Sequence, residues 1–192
     1  VMNSSIAFGL GAPIAAGGVV LGYIDGDYGL ALLDNWLTAQ VFNNTFWNEN
    51  ATYPSLICSA SGAHVNSSSI DIRNNVFAGG RHLWIHRNGG TPTVVSDRNA
   101  FKANAASAYI RDATGYGTLV DWRTATGLDL NSVVADPLLK GNPRLAASNA
   151  ELLTGSPALA LGADLSAVFT HDYAGRKRKT PYDAGAFQRF AN

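Results

Sequence analysis

The chain has 192 residues, so we expect a single domain with a core of ordinary size. Its 14 Lys and Arg balance its 14 Asp and Glu, and only 15% of its residues are charged, which argues against a general nucleic-acid binder. The 20 Gly residues, with many Asn, Ser and Thr, favour turns and strands over long helices.

The first charged residue is Asp25, so Val1–Ile24 is an uncharged segment rich in Gly and Ala. It lacks a basic amino-terminal region, and Pro13 disfavours a lipid-exposed helix, so we predict buried strands here and no membrane span. The chain starts without an initiator methionine, which suggests a processed or truncated product. The turn Asp25-Gly26-Asp27 can offer oxygens to Ca²⁺, but two carboxylates fall short of a coordination shell, and a plain turn is the simpler interpretation.

A short motif recurs along the chain: Asn, then a small or β-branched residue, then Phe. Its copies are Asn44-Thr45-Phe46, Asn75-Val76-Phe77 and Asn99-Ala100-Phe101. The asparagines lie 31 and 24 residues apart, which is typical of a repeat protein with insertions of different length. We predict that each copy closes one coil of a β-helix, with the Phe rings stacked internally and the Asn amides bonded along the stack. Coincidence among short Asn-rich turns is the alternative.

Alternation of apolar and polar residues predicts a strand over Ser69–Asn75. Ile70 and Ile72 share one face, and Asp71 and Arg73 share the other. Further along, Leu83-Trp84-Ile85-His86 alternates in the same way, so a second strand is predicted there.

The pattern changes after Thr118. Leu119–Thr126 predicts a short helix that ends at Gly127, and loops with isolated strands follow. We therefore expect one domain with β-helix coils over 1–118 and a last coil plus closing segment over 119–192. The basic run Arg176–Lys179 is short and flanked by acidic residues, so we predict an exposed loop and no nucleic-acid site.

Three segments of this tail resemble a known group of proteins. They are Trp122…Thr126-Gly127-Leu128-Asp129…Ser132…Asp136-Pro137-Leu138, then Ser156-Pro157-Ala158-Leu159…Gly162, then Asp172-Tyr173…Gly175-Arg176…Asp183-Ala184-Gly185-Ala186-Phe187. With the repeated Asn-Phe motif, about 150 residues resemble the C-terminal region of secreted bacterial right-handed parallel β-helix proteins of the pectate-lyase-like superfamily. The chain departs from the family pattern at Ala160, where Asp is usual, and at Gln188, where Glu is usual. Ion pairs of the closing region are therefore not expected in the family's form.

The resemblance implies an all-β fold: a right-handed parallel β-helix, or solenoid, with a loop-rich C-terminal closing segment. It also implies a secreted or cell-surface location and no cofactor except the Ca²⁺ that some relatives use. Only three or four coils are recognisable, and no N-terminal cap is. We therefore expect either a longer native chain or self-association through the uncapped N-terminal coil.

Substrate binding is predicted at the second alternating strand. If Leu83 and Ile85 point inward, then His82, Trp84 and His86 face outward, where such folds commonly bind glycans. Trp84 can stack on a sugar ring while the imidazoles hydrogen-bond hydroxyls or a carboxylate. The alternative is that Trp84 packs under a loop and the histidines are solvated. A shared metal is not expected, because four residues along a strand separate the two histidines by roughly 13 Å.

Candidate catalytic residues come from neighbouring coils: Asp71, Arg73, Asp97, Arg98 and Lys102. A polyuronate lyase of this family needs cations that neutralise the substrate carboxylate and take the C5 proton, which Arg73, Arg98 and Lys102 can supply. A hydrolase needs two carboxylates across a groove, and Asp71 and Asp97 are the obvious pair. Salt bridges between neighbouring strands on a solvated face are the alternative.

These patterns predict an extracellular protein that interacts with a polysaccharide or surface glycan. If it is an enzyme, a polysaccharide lyase or glycoside hydrolase is expected. The alternative is a non-catalytic surface or structural protein that assembles end to end, as a filament or adhesin does. The resemblance is specific for the fold and much less so for the activity, because one scaffold can carry many chemistries.

Overall fold

A computed structural model describes residues 14–17, 20–21, 30–33, 38–47, 54–59, 69–79, 81–86, 92–103, 109–112, 114–143 and 145–190. Within these ranges the chain is rich in β-structure and contains one α-helix. After residue 127 the described chain consists mostly of turns and isolated β-bridges.

The described strands form three sheets, which the chain visits in rotation. Sheet A contains, in spatial order, β1 (Ile14–Gly17), β4 (Thr38–Phe42), β7 (Ser69–Arg73) and β10 (Thr93–Asp97). Sheet B contains β14 (Val133–Val134), β11 (Ala100–Phe101), β8 (Val76–Ala78), β5 (Thr45–Trp47) and β2 (Val20–Leu21). Sheet C contains β13 (Thr114–Tyr116), β12 (Tyr109–Arg111), β9 (Arg81–His86), β6 (Pro54–Ser59) and β3 (Leu30–Leu33). These pairs are parallel except for the antiparallel pair β12–β13.

The predicted fold class, an all-β right-handed parallel β-helix solenoid, is wrong. The strands lie in three separate sheets, one of which is mixed, and a helix lies between the last two strands, β13 and β14. The prediction treated each repeated motif as the end of one strand. The chain instead turns just before each Asn of the motif and continues as a strand of a different sheet. Residues with positive φ make these turns, namely Asn43 (53°), Asn74 (60°) and Arg98 (54°).

The predicted stack of phenylalanines is confirmed. The ring centroids of Phe46 and Phe77 lie 4.8 Å apart with nearly parallel planes, and those of Phe77 and Phe101 lie 5.0 Å apart. All three side chains are fully buried in the main core cluster. Stacked aromatic pairs contribute about 0.5–1.5 kcal/mol each beyond the burial of their area, so this column stabilises the alignment of sheet B.

The predicted bonding between asparagines is also confirmed. The backbone N–H of Asn44 donates to Oδ1 of Asn75 at 2.9 Å, and that of Asn75 donates to Oδ1 of Asn99 at 2.9 Å. The Asn75 amide also donates to the Val41 carbonyl at 2.8 Å, and the Asn99 amide donates to the Ile72 carbonyl at 3.0 Å. These buried amides, which we call the Asn ladder, satisfy backbone groups where the chain leaves one sheet for the next.

A buried carboxylate ends the Asn ladder. Asp129 accepts hydrogen bonds from Asn99 Nδ2 at 2.9 Å, Trp122 Nε1 at 2.9 Å and Ser132 Oγ at 2.7 Å. Burial raises the pKa of Asp129 above its ordinary value, although these hydrogen bonds oppose the rise. Asp129 therefore joins the ladder to the segment that follows the strands.

That segment begins with the predicted helix, α1 (Leu119–Thr126), which is confirmed. The Thr118 hydroxyl accepts from the Asp121 backbone N–H at its start, and Gly127 ends it with a φ of 71°. Trp122 is fully buried and stacks on Tyr109 at 5.8 Å. Among the described segments, no helix has the length and apolar character needed to cross a membrane.

The closing segment packs on the turns between sheets A and B. The Gly185 N–H donates to the Asn74 carbonyl at 2.7 Å, and the Ala186 N–H donates to Thr45 Oγ1 at 3.1 Å. Gly185 has a φ of 93°, and a Cβ there would lie 3.0 Å from Thr45 Oγ1 and from Val76 Cγ2. Only glycine allows this backbone conformation and this close approach without strain.

Candidate functional site

The predicted outward position of His82 is wrong. Its side chain is 1% exposed, with ring centroids 5.2 Å from Phe101 and 5.5 Å from Tyr109. Leu83 is buried as well, so the alternation fails at the start of β9, where the chain has just left sheet B and both residues face the core. Leu83 and Ile85 are buried as predicted, while the side chains of Trp84 and His86 lie outside the described part of the structure.

Burial makes His82 a determinant of acid stability. It lowers the pKa of the imidazole from 6.5 to about 4, although a hydrogen bond with the Lys102 backbone opposes the shift. The His82 imidazole binds a proton near pH 6.5 in the unfolded chain but only near pH 4 in the folded chain. The free energy of unfolding therefore falls as the pH drops from 6.5 to 4. We expect His82 to lower the free energy of unfolding by about 3 kcal/mol between pH 7 and pH 4.

Urea unfolding at both pH values tests this expectation. The His82→Phe variant should lose about 3 kcal/mol less stability on acidification than the wild-type chain, because Phe fills the same aromatic cluster without titrating. His171→Asn is the matched control, since His171 is exposed, and it should follow the wild type. An equal loss in wild type and His82→Phe would contradict this account of His82.

Three of the five predicted catalytic residues lie together on sheet A. Arg73 on β7 is the register partner of Asp97 on β10. Its guanidinium donates to both carboxylate oxygens of Asp71, at 2.6 and 2.5 Å. Asp97 accepts from the backbone and side-chain amides of Asn131, at 2.7 and 2.8 Å. Each of these charges has a protein partner on a part-exposed face, but the described contacts are not the cross-strand salt bridges of the stated alternative. Arg73 pairs with Asp71 on its own strand, and Asp97 bonds the neutral Asn131.

The other two predicted catalytic residues point to different partners. The Arg98 guanidinium donates to the Leu161 carbonyl at 3.1 Å, and Lys102 Nζ lies 3.7 Å from the Asp136 carboxylate. The five candidates therefore do not converge on one acid–base centre in the described structure. No cluster of three or more metal-ligating side chains occurs in the ranges that the structure describes. The turn at Asp25-Gly26-Asp27, which was weighed as a source of Ca²⁺ ligands, lies outside them, as does most of the N-terminal segment for which self-association was expected.

A concave site lies in the closing segment, in a cleft of about 220 Å³. Its walls combine aromatic rings, two guanidinium groups, a carboxylate and an amide. They are formed by Glu151, Leu152, Arg176, Phe187, Gln188, Arg189 and Phe190, which we call the C-terminal cleft. Of the predicted site residues whose side chains the structure describes, none lines it.

Arg176 has a fixed place in the C-terminal cleft. Its Nε and Nη2 both lie 2.8 Å from Oδ2 of Asp172, a carboxylate that also accepts the backbone N–H groups of Arg176 and Gln188. Burial opposes ionisation of Asp172, but these donors outweigh it and hold its pKa below the ordinary value. The Arg176 guanidinium also lies 5.6 Å from the Phe187 ring centroid and 5.7 Å from that of Phe190.

The outer part of the C-terminal cleft is formed by Arg189 and Phe190. Arg189 is exposed, and its guanidinium donates to the Thr154 hydroxyl at 2.6 Å. The Phe190 ring is partly exposed and has Lys179 Nζ at 5.4 Å from its centroid. A flat ring beside guanidinium and carboxylate groups suits a ligand that has an apolar face and several hydroxyls.

The prediction of an exposed loop over Arg176–Lys179 is wrong for Arg178. This side chain is 4% exposed and donates to the carbonyls of Gly185 and Ala186 at 2.9 and 3.0 Å. Burial lowers its pKa to about 10, against the attraction of Asp172 and Asp183.

The sequence contains one signal for the C-terminal cleft. The basic run at 176–179 and the Phe-Gln-Arg-Phe stretch at 187–190 belong to one segment with an excess of cations.

Neutral groups occupy the two positions, Ala160 and Gln188, at which the resembling proteins usually have carboxylates. Asp183 Oδ1 accepts the Ala160 backbone N–H at 2.8 Å, and Oδ2 accepts the Arg189 backbone N–H at 2.6 Å. Gln188 Oε1 accepts the Asp183 backbone N–H at 3.2 Å. The closing segment is thus held at these positions by backbone amides.

Neither a family model, nor a curated protein, nor a solved structure matches the chain. The predicted relationship to secreted pectate-lyase-like proteins therefore stays a prediction.

Proposed function

We propose that the protein is an extracellular carbohydrate-interacting protein, secreted or held at a cell surface, whose C-terminal cleft binds a sugar chain. The observation that carries the proposal is the pairing of a partly exposed ring, Phe190, with the hydrogen-bonding groups of Arg176, Arg189 and Glu151 around one cleft. Sugar rings offer an apolar face for stacking and hydroxyls that both donate and accept, so they match this lining.

A binding role is supported better than a lyase or hydrolase. The predicted catalytic cations Arg98 and Lys102 are engaged with different partners, and Asp71 is held by Arg73. At the C-terminal cleft, Arg176 pairs with two carboxylates: Glu151 in the lining, at 3.6 Å, and Asp172 behind it, at 2.8 Å. Neither the sheet A face nor this cleft offers the uncommitted pair of carboxylates that glycoside hydrolysis needs.

Affinity electrophoresis against a panel of neutral and acidic soluble polysaccharides tests the proposal. The wild-type chain should be retarded by at least one of them, and Phe190→Ala should weaken that interaction about tenfold, which is the loss of roughly 1.4 kcal/mol expected for a stacking ring. Phe190→Leu, which keeps apolar bulk without the ring, should recover only part of the affinity.

The matched control is Val120→Ala, which truncates a side chain that is 67% exposed on α1, outside the C-terminal cleft. It should bind as the wild type does. The thermal midpoint of each variant shows whether it is folded. Retention that is unchanged in Phe190→Ala, or absent for the wild type across the whole panel, would overturn the proposed function.

A further inference from the structure

Charge is distributed unevenly along this neutral chain. Residues 140–192 contain 7 Lys and Arg against 4 Asp and Glu, whereas residues 1–139 contain 7 against 10. The closing segment, which forms the C-terminal cleft, therefore carries the cationic excess. Such segregation favours an anionic ligand at that end of the molecule, because a field of one sign raises the local concentration of the opposite charge.

The carboxylate of the C-terminal cleft, Glu151, and the neighbouring Asp172 do not cancel this excess. Asp172 is buried and is satisfied by Arg176 and by backbone amides. Glu151 lies between two cations, 3.5 Å from Lys140 Nζ and 3.6 Å from Arg176 Nη1. Each carboxylate is thus matched by at least one cation within the protein.

Arg189 is the cation left to a ligand. Its backbone N–H is fixed by Asp183, and its guanidinium is oriented by a neutral group, the Thr154 hydroxyl at 2.6 Å. In the described part of the chain its guanidinium forms no salt bridge with a carboxylate. A guanidinium carries five N–H donors in a planar fork that matches a carboxylate or a sulfate, so donors remain for an anionic oxygen.

We propose that the sugar chain bound in the C-terminal cleft is acidic, and that Arg189 binds its carboxylate or sulfate groups while a sugar ring packs on Phe190. This inference rests on the proposed function. Lys179, whose ammonium lies over the same ring at 5.4 Å from its centroid, adds positive charge there. A carboxylate and a sulfate share the anionic oxygens that the guanidinium recognises, and the test separates the two.

Three polymers with one backbone serve as probes: dextran, carboxymethyl-dextran and dextran sulfate. At low ionic strength the intact chain should bind at least one charged polymer about tenfold more tightly than dextran, and its affinity should fall as salt is added. The charged polymer that binds more tightly identifies the acidic group. Polyglutamate, which carries carboxylates without sugar rings, should bind more weakly than carboxymethyl-dextran.

Variants place the interaction at Arg189. Arg189→Gln should lose about tenfold in affinity for the favoured charged polymer, and Arg189→Lys should recover part of it. Lys102→Gln is the matched control, since it removes one part-exposed cation outside the C-terminal cleft and should change the affinity less than twofold.

The inference fails if Arg189→Gln and Lys102→Gln lose affinity equally, or if polyglutamate binds as tightly as the charged dextrans, since net charge alone would then explain binding. Equal binding of dextran and its charged derivatives, still weakened by Phe190→Ala, would overturn the acidic ligand and leave the proposed function intact. If none of the three dextrans binds, the inference fails, and the wider panel alone decides the proposed function.

Discussion

Replacing Asn75 by Ala is expected to lower the free energy of unfolding by about 3–5 kcal/mol. Asn75 is the middle residue of the Asn ladder, and its Oδ1 accepts from the Asn44 backbone N–H at 2.9 Å while its Nδ2 donates to the Val41 carbonyl at 2.8 Å. All these groups are buried, so the truncation removes an acceptor from one buried donor and a donor from one buried acceptor, at about 1–3 kcal/mol each. The lost contacts of the side chain add to this.

Urea or thermal unfolding measures the effect, which corresponds to a drop of roughly 10 °C in the midpoint for a chain of this size. Asn131→Ala is the matched control, because Asn131 is exposed and bonds only the part-exposed Asp97 among described side chains. The control should change stability by less than about 1 kcal/mol. A loss of that small size in Asn75→Ala would mean that the ladder does not support the turns between the sheets.

Replacing Asp129 by Ala is expected to cost a similar amount, about 3–5 kcal/mol. The carboxylate accepts from three buried donors, Asn99 Nδ2, Trp122 Nε1 and Ser132 Oγ. The truncation removes this acceptor from all three, although Asn99 Nδ2 still donates to the Ile72 carbonyl. Asp129→Asn should also destabilise the fold, because its amide places a donor where donors already converge. Trp122 should become more exposed to solvent in both variants, which its fluorescence reports.

The control for Asp129 is Asp136→Asn. Asp136 is exposed and lies 3.7 Å from Lys102, a distance at which a surface ion pair contributes little. Its replacement should change stability by less than about 0.5 kcal/mol. If Asp129→Ala is as mild as this control, the buried carboxylate does not anchor α1 to the Asn ladder.

The sequence predicts the local structure where one side chain repeats at equivalent places. The Phe stack and the Asn ladder follow from three copies of one motif, and α1 follows from Thr118 and Gly127 as its start and stop signals. The arrangement of strands was predicted wrongly because β5, β8 and β11 have only two or three residues. Val76–Ala78 is buried at every position, so it has no alternation from which a separate strand could be recognised.

The candidate site was harder to predict than the fold. The outward position of His82 was predicted wrongly because alternation with a period of two residues holds within a strand. It fails at a corner, where consecutive residues face the same core. The C-terminal cleft brings Glu151, Arg176 and Phe190 together from loops without periodicity. Only the surplus of cations in 140–192 pointed to it, and that surplus identifies a segment without giving the geometry.

Chemical-shift mapping on the ¹⁵N-labelled chain tests the central claim, that the C-terminal cleft binds a sugar chain. Oligosaccharides of the panel polysaccharide that retards the chain most, and of the charged dextran that binds most tightly, would be titrated in turn. We expect the amide shifts of Arg176, Arg189 and Phe190 to move with ligand concentration while those of Asp71 and Val95 on sheet A stay in place. Shifts centred on sheet A, or none with either ligand, would contradict the account.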